Sequence, residues 1–234
     1  MSVSPTLTED PNGRRRPRVE AAYEAIKAAI REGEFPPGFQ GSELAIAERL
    51  GMSRTPVHHA IIRLQAEGMV ELHPKRGVVI SALSPKDMRE IYDVIIAVEG
   101  MAAMLAAERP GGERHGFCAS LEAINAEIRK AIESDDLERW AELDGRFHLR
   151  LVEGAVNRRL EQIARVNLDQ SYRARRLTVR LRPRPVHSIA EHQAIVDAIR
   201  IGDGAAARDA AQAHKIGARD MIARLLQSYQ LFRL

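Results

Sequence analysis

The chain contains a single cysteine, Cys118, among 234 residues. No disulfide can close within it, which suits a reducing compartment and excludes the disulfide-stapled secreted scaffolds. Aromatic residues are scarce, at 4%. No stretch approaches the roughly 18 apolar residues that a membrane span requires. The opening residues, MSVSPTLTEDPNGRRRPR, hold no apolar core of a secretory signal. A cytoplasmic protein with no membrane partner is therefore expected. Neither sign of charge dominates, since 35 basic and 32 acidic residues leave a formal charge of +3. That balance is compatible with nucleic acid and does not demand it. There is no internal repeat.

What is abundant is Ala, Leu, Ile, Arg and Glu, a composition that favours helix. Hydrophobic residues reach 45%, enough for two modest domains with their own cores. Residues 1–17, broken by proline and glycine, have no hydrophobic period and read as a disordered basic arm. From Arg18, the residues Val19, Ala22, Tyr23, Ile26, Ala29 and Ile30 recur at helical spacing, until Gly33 and the FPPG of 35–38 stop them. Ser42 is placed to cap a second helix, and Ser53 a third that buries Val57, Ile61 and Leu64. Two strand-compatible segments follow, Met69–Leu72 and Val78–Ser81, joined by a tight HPKRG turn. Helix, helix, turn, helix and hairpin make a winged helix-turn-helix over residues 18–82.

Residues 84–230 carry only helical signals. Ser84 with Pro85 and Asp87 forms an N-terminal cap, and further helices are expected near 113–133, 136–154, 157–180, 188–201 and 204–230. Ser188 with Glu191 reads as a second capping box, and Met101 and Met104 as core. The fold class is thus mainly α: three helices plus a β-hairpin wing, then an all-α helical bundle.

The segment 42–84 resembles the GntR family of transcription regulators. The resemblance is carried by Leu50-Gly51, Ser53-Arg54-Thr55-Pro56-Val57, Leu64, Glu67-Gly68 and Arg76-Gly77. It implies double-stranded operator DNA as a partner, a homodimer, and DNA contacts from Ser53, Arg54, Thr55, His58, Lys75, Arg76 and Gly77. The physics agrees. A helix N-terminus at Ser53 offers free N–H groups to phosphate, and Arg54 can fork onto a guanine edge. The sequence departs from the family where Arg-Glu-Ala commonly follows Thr-Pro-Val, for here His58-His59-Ala60 stand. That substitution predicts an altered operator preference or a pH-sensitive affinity.

Asp144 and His148 are four residues apart and share a helical face, with His192 and His214 on two later helices. One carboxylate and three imidazoles suit a divalent transition metal, zinc or nickel for the nitrogen-rich set, manganese or iron as alternatives. From spacing alone the signal is weak. Residues 84–230, however, resemble the FCD domain of the FadR-type branch of the same family, through Asp144-x-x-Phe147-His148, Leu151, Asn157, Glu191-His192-x-x-Ile195, Gly202-Asp203 and His214. The resemblance implies that these four residues hold the metal. It also implies that a small effector, such as a carboxylate, reaches an open coordination position. An arginine expected four residues before Glu99 is replaced by Ile95. Arg146, Arg173, Arg175 and Arg176 are the candidates to take over as anion anchor. The expectation is a ligand-controlled regulator, more simply a repressor, and not an enzyme. The alternatives are a regulator that answers to the metal itself, a metal-dependent enzyme fused to a DNA-binding domain, and a DNA-binding protein with no ligand.

Overall fold

The computed structural model describes residues 18–230. The basic arm expected at 1–17 lies outside the described residues. The chain divides after Ala82 into two compact units.

The first unit opens with α1 (Arg18–Glu32), which buries Ala22, Tyr23, Ile26, Ala29 and Ile30. Gly33 ends it with a φ of +83°, a conformation cheap only for glycine. Then come β1 (Gln40–Gly41), α2 (Glu43–Arg49), α3 (Arg54–Ala66), β2 (Val70–His73) and β3 (Gly77–Ile80). The Ser42 hydroxyl accepts from the Ala45 N–H at 3.0 Å and caps α2. β2 and β3 pair antiparallel with Val70 opposite Ile80 and His73 opposite Gly77. The sequence predicts only this hairpin, yet the sheet has three strands in the order β1-β3-β2. β1 is too short to carry a period of two, so its pairing is not legible from pattern. It is added because the backbone leaving the FPPG turn exchanges hydrogen bonds with Ile80 at 2.9 Å in each direction. Phe35, Ile46, Val57, Ile61, Leu64, Val78 and Ile80 fill the core beneath.

The second unit is helical throughout: α4 (Pro85–Ala107), α5 (Gly111–Glu133), α6 (Leu137–Glu153), α7 (Arg158–Thr178), α8 (His187–Ile201) and α9 (Gly204–Ser228). With the first unit this makes nine helices among the described residues, a mainly α fold as the sequence predicts. α4 begins with a complete capping box, in which Ser84 and Asp87 each bond the other's backbone N–H. The Ser188–Glu191 box does not form. α8 starts at His187, the Ser188 hydroxyl donates to the Pro185 carbonyl at 2.7 Å, and Glu191 is drawn away to His214. Phe117, Leu121, Ile128, Trp140, Leu143, Phe147, Leu151, Ile195 and Ile199 form the main core. Met101 faces solvent instead of the core, at 40% exposure. Among the described residues no helix is long and apolar enough to cross a membrane.

Candidate functional site

In the first unit, the residues expected to meet DNA lie on the N-terminal turns of α3 and at the β2–β3 turn. Ser53 stands at the N-cap position of α3, but its hydroxyl makes no capping bond and stays available to a phosphate. Arg54, Thr55 and His58 are exposed along the same end of the helix, and Lys75 and Arg76 at the turn. Glu43 at the start of α2 holds two of them, the His58 Nδ1 at 2.8 Å and the Arg54 Nε at 3.5 Å. These pairs orient both side chains and are exposed enough to exchange carboxylate for phosphate at low cost. Gly77 has a φ of +71°, and a Cβ there would lie 2.6 Å from the Gly41 carbonyl oxygen. Only glycine lets β3 approach β1 so closely.

In the second unit, α6, α8 and α9 bring Asp144, His148, His192 and His214 together. One ligand atom from each lies within 4.8 Å of the others, and all four residues are buried. The sequence could place only Asp144 and His148 on one face; the fold supplies the other two.

The hydrogen bonds behind the rings fix which nitrogen faces inward. His148 Nδ1–H donates to Glu99 at 2.8 Å, His192 Nδ1–H to the Asn125 side-chain oxygen at 3.3 Å, and His214 Nδ1–H to Glu191 at 2.6 Å. Asn125 is itself oriented by donating to the Ile189 carbonyl at 3.1 Å. The Phe147 ring stacks on His192 at 4.0 Å and holds its plane. Each imidazole therefore spends its proton outward and turns the lone pair of Nε2 toward Asp144. This outer tethering is what metal-ligating histidines require. Two of these nitrogens, on His148 and His214, face each other at 3.2 Å. Two lone pairs at that distance repel unless a cation stands between them. The Nε2 of His192 is buried with no hydrogen-bond partner, 3.6 Å from Asp144. An orphaned buried acceptor costs about 1–3 kcal/mol, a penalty that a shared cation removes. The four residues thus fit a divalent ion in donor type, orientation and spacing.

Electrostatics set the charge states of the four groups. Burial alone would raise the Asp144 carboxyl, but Arg175 at 2.9 Å, with His148 beside it, holds it well below the usual carboxylate range. Burial pushes His192 well below its ordinary value and His214 below it, each ring reinforced by its histidine neighbours. Anionic carboxylate and neutral imidazole are the forms that bind metal. Glu99 stays ionised despite its burial, through His148 and the Lys215 ammonium at 3.4 Å.

A cavity of about 460 Å³ opens beside the cluster, within the range of small-molecule sites. Asp144 and His214 form part of its wall, with Tyr92, Trp140, Arg175 and Lys215. Of the four arginines proposed from sequence, Arg175 lies on this wall. Arg146 is exposed beside Glu127, Arg173 is buried against Gln170 at 2.7 Å, and neither they nor Arg176 line the cavity. Ile95 is fully buried, so the expected arginine has been replaced by core. Sequence reasoning missed Glu99, Asn125 and Glu191 as supports of the rings, and Arg182 and Lys215 as cations of the wall. Trp140 is 2% exposed and still forms part of the cavity wall.

Comparison with known proteins gives two family matches: the gntR family of bacterial regulatory proteins over residues 18–80, and the FCD domain over 90–216. An HTH-type transcriptional regulator from the TAR-I ttuE-ttuC' intergenic region of Agrobacterium vitis is 50% identical over 135 residues, 58% of this chain and 79% of that protein. A probable D-xylose utilization operon transcriptional repressor of Paenarthrobacter nicotinovorans is 30% identical over 196 residues, 81% of each chain. Among solved structures, E. coli McbR/YncC superposes with a TM-score of 0.74 at 20% identity, covering 92% of this chain and 99% of that one; it supports the fold alone.

Proposed function

The chain belongs to the gntR family of bacterial regulatory proteins, carries an FCD domain and is a DNA-binding transcription regulator rather than an enzyme; from that premise we propose that it is a homodimeric repressor whose grip on its operator is set by a small effector bound next to a metal ion in the second unit. The observation that carries this reading is the convergence of three outward-tethered imidazoles on one buried carboxylate. Asp144, His148, His192 and His214 would hold the ion. When bound, it would supply a Lewis-acid centre with coordination positions left for an effector oxygen. Three nitrogens and one oxygen suit zinc or nickel best, with manganese or iron as the alternatives.

In the first unit, residues 18–82 would read one half-site per protomer, matching a two-fold protein to a pseudo-palindromic operator. Ser53, Arg54, Thr55, His58, Lys75, Arg76 and the Gly77 turn form the proposed contact set. The free Ser53 hydroxyl and the exposed cations of α3 and the wing support it. An effector that prefers one of two dimer states would shift the population able to bind DNA, by no more than its difference in affinity for them. The repressor sense follows the naming of the P. nicotinovorans relative.

In vitro selection from random duplex DNA tests the reading, using the full chain loaded with zinc. An inverted repeat should be enriched, and Arg54→Ala should abolish the enrichment. Affinity for the selected site should fall steeply with salt, by about 0.9 log units per log unit for each phosphate contact. Enrichment of a single asymmetric site, or of none, would overturn the dimeric operator reading.

A further inference from the structure

An imidazole can accept a hydrogen bond as well as donate one, whereas the arginine common at position 58 in the family only donates. At His58 a neighbour decides between the two roles. The Ser42 cap fixes Glu43 in the first turn of α2. Ile46 and Ala47 of α2 pack in one core with Val57 and Ile61 of α3, which sets the Glu43 carboxylate against α3. Its Oε1 stands 2.8 Å from His58 Nδ1. The carboxylate is largely covered, at 18% exposure, and the His58 ring is open to solvent at 46%. A carboxylate has nothing to donate, so the single proton of the neutral ring sits on Nδ1. Nε2, on the far edge of the ring, keeps its lone pair. Among the described residues no other hydrogen bond engages the ring, and the His59 ring packs edge-on to it with centroids 5.6 Å apart. The second oxygen of Glu43, Oε2, lies 3.5 Å from Arg54 Nε. That looser pair lets Arg54 leave for a phosphate or a guanine without releasing His58.

We propose that Glu43 sets the base preference of the operator through His58: by holding the ring proton on Nδ1 it presents Nε2 as an acceptor, which selects an amino-bearing base, adenine or cytosine. The inference rests on the DNA-contact set proposed above. In the major groove adenine N6 and cytosine N4 donate, whereas guanine N7 and O6 and thymine O4 accept. A lone pair on Nε2 meets a proton on the first two bases and another lone pair on the others. Phosphate oxygens also only accept, so this tautomer turns His58 from the backbone to a base edge. An arginine in the same place, with donors alone, suits guanine. Arg54 lies one helical turn before His58, a rise of about 6 Å. Its guanidinium supplies donors there, so each half-site should pair a guanine with an amino-bearing base about two steps of roughly 3.4 Å away. Glu43 is a positioning residue in this scheme and touches no base itself.

The experiment selects binding sites from random duplex DNA with the full chain at about pH 8, where an ordinary imidazole is neutral. Wild type, His58→Ala, His58→Arg and Glu43→Gln are run side by side. His58→Ala marks the position that residue 58 reads, as the one whose preference it erases. In the wild type that position should hold adenine or cytosine over guanine and thymine by about fivefold or more, the low end for a single mismatch. His58→Arg should turn it to guanine. Glu43→Gln gives the ring an amide that donates as well as accepts, so the preference should fall to about twofold or less. The rest of the selected site should stay as in the wild type, whereas a purely structural loss would weaken every position together. Nitrogen-15 spectra of histidine-labelled protein without DNA give a second readout. The ring missing from His58→Ala should carry its proton on Nδ1 in the wild type and shift toward the Nε2–H form in Glu43→Gln. Guanine or thymine at the marked position, no position erased by His58→Ala, a preference that survives Glu43→Gln, or a wild-type ring protonated on Nε2 would overturn the proposal. Should Glu43→Gln select no site, the wild-type spectrum decides. Enrichment of no DNA by the wild type defeats the operator reading and this inference with it, and an enriched operator without the adenine-or-cytosine position defeats this inference alone.

Discussion

At the scale of single residues, the cluster depends on groups that never touch its centre. His148 is aimed by Glu99, His192 by Asn125 and His214 by Glu191. Glu99 also neutralises Lys215, a lysine that is 1% exposed. Glu99→Gln keeps the shape and removes the charge, so the bond that aims the His148 ring weakens while the buried ammonium loses its partner. Metal affinity, measured by competition with a chelating dye, should fall about 10- to 100-fold, the usual effect of removing such a support. An unchanged affinity would mean that Glu99 serves only the fold. The four clustered residues were legible in the sequence as candidates because family resemblance marks them, and because Asp144 and His148 are one helical turn apart. Their supports were not. Glu99 is 49 residues from His148 and Asn125 is 67 from His192, on other helices, and no spacing rule joins them. Arg182 escaped for the same reason: only the packing of the α7–α8 segment brings it over Trp140.

At the scale of elements, helix ends written in local chemistry were legible, and ends decided by distant partners were not. Ser84 with Pro85 and Asp87 closes a full capping box. Ser188 and Glu191 have the same spacing, yet the box fails because Glu191 finds the His214 imidazole at 2.6 Å. A charge-assisted bond to a buried ring is stronger than a cap shared with solvent, so tertiary contact overrides the local signal. The wing shows a second limit. Its hairpin follows from alternation and a glycine turn, whereas the two-residue β1 depends on a close backbone approach at Gly77. Gly77→Ala combines left-handed strain with a Cβ placed 2.6 Å from the Gly41 oxygen. It should destabilise the full chain by about 1–3 kcal/mol in chemical denaturation. It should also weaken DNA binding, because the turn presents Lys75 and Arg76. Wild-type stability together with wild-type affinity would contradict the role assigned to this glycine.

At the scale of the whole molecule, two units each carry their own core and one candidate site. The first presents exposed cations on a small helical scaffold. The second buries charge instead, and all six of its helices contribute to that burial. Asp144 and His148 come from α6, His192 from α8, His214 from α9, and Glu99, Asn125 and Arg175 from α4, α5 and α7. Buried charge is costly unless paired, and here the costs are offset only in part by protein groups. Two facing imidazole nitrogens and an orphaned third leave lone pairs without a partner at the centre of the bundle. An ion there would bind the folded state alone and stabilise it by mass action, which ties the packing of the bundle to the site where an effector is proposed to act. The direct measurement is elemental analysis of the purified full chain, before and after reloading, beside the His148→Ala/His192→Ala double variant. Near-stoichiometric divalent transition metal in the wild type and none in the variant is the predicted result. A wild type that takes up no metal even after reloading would contradict the central claim.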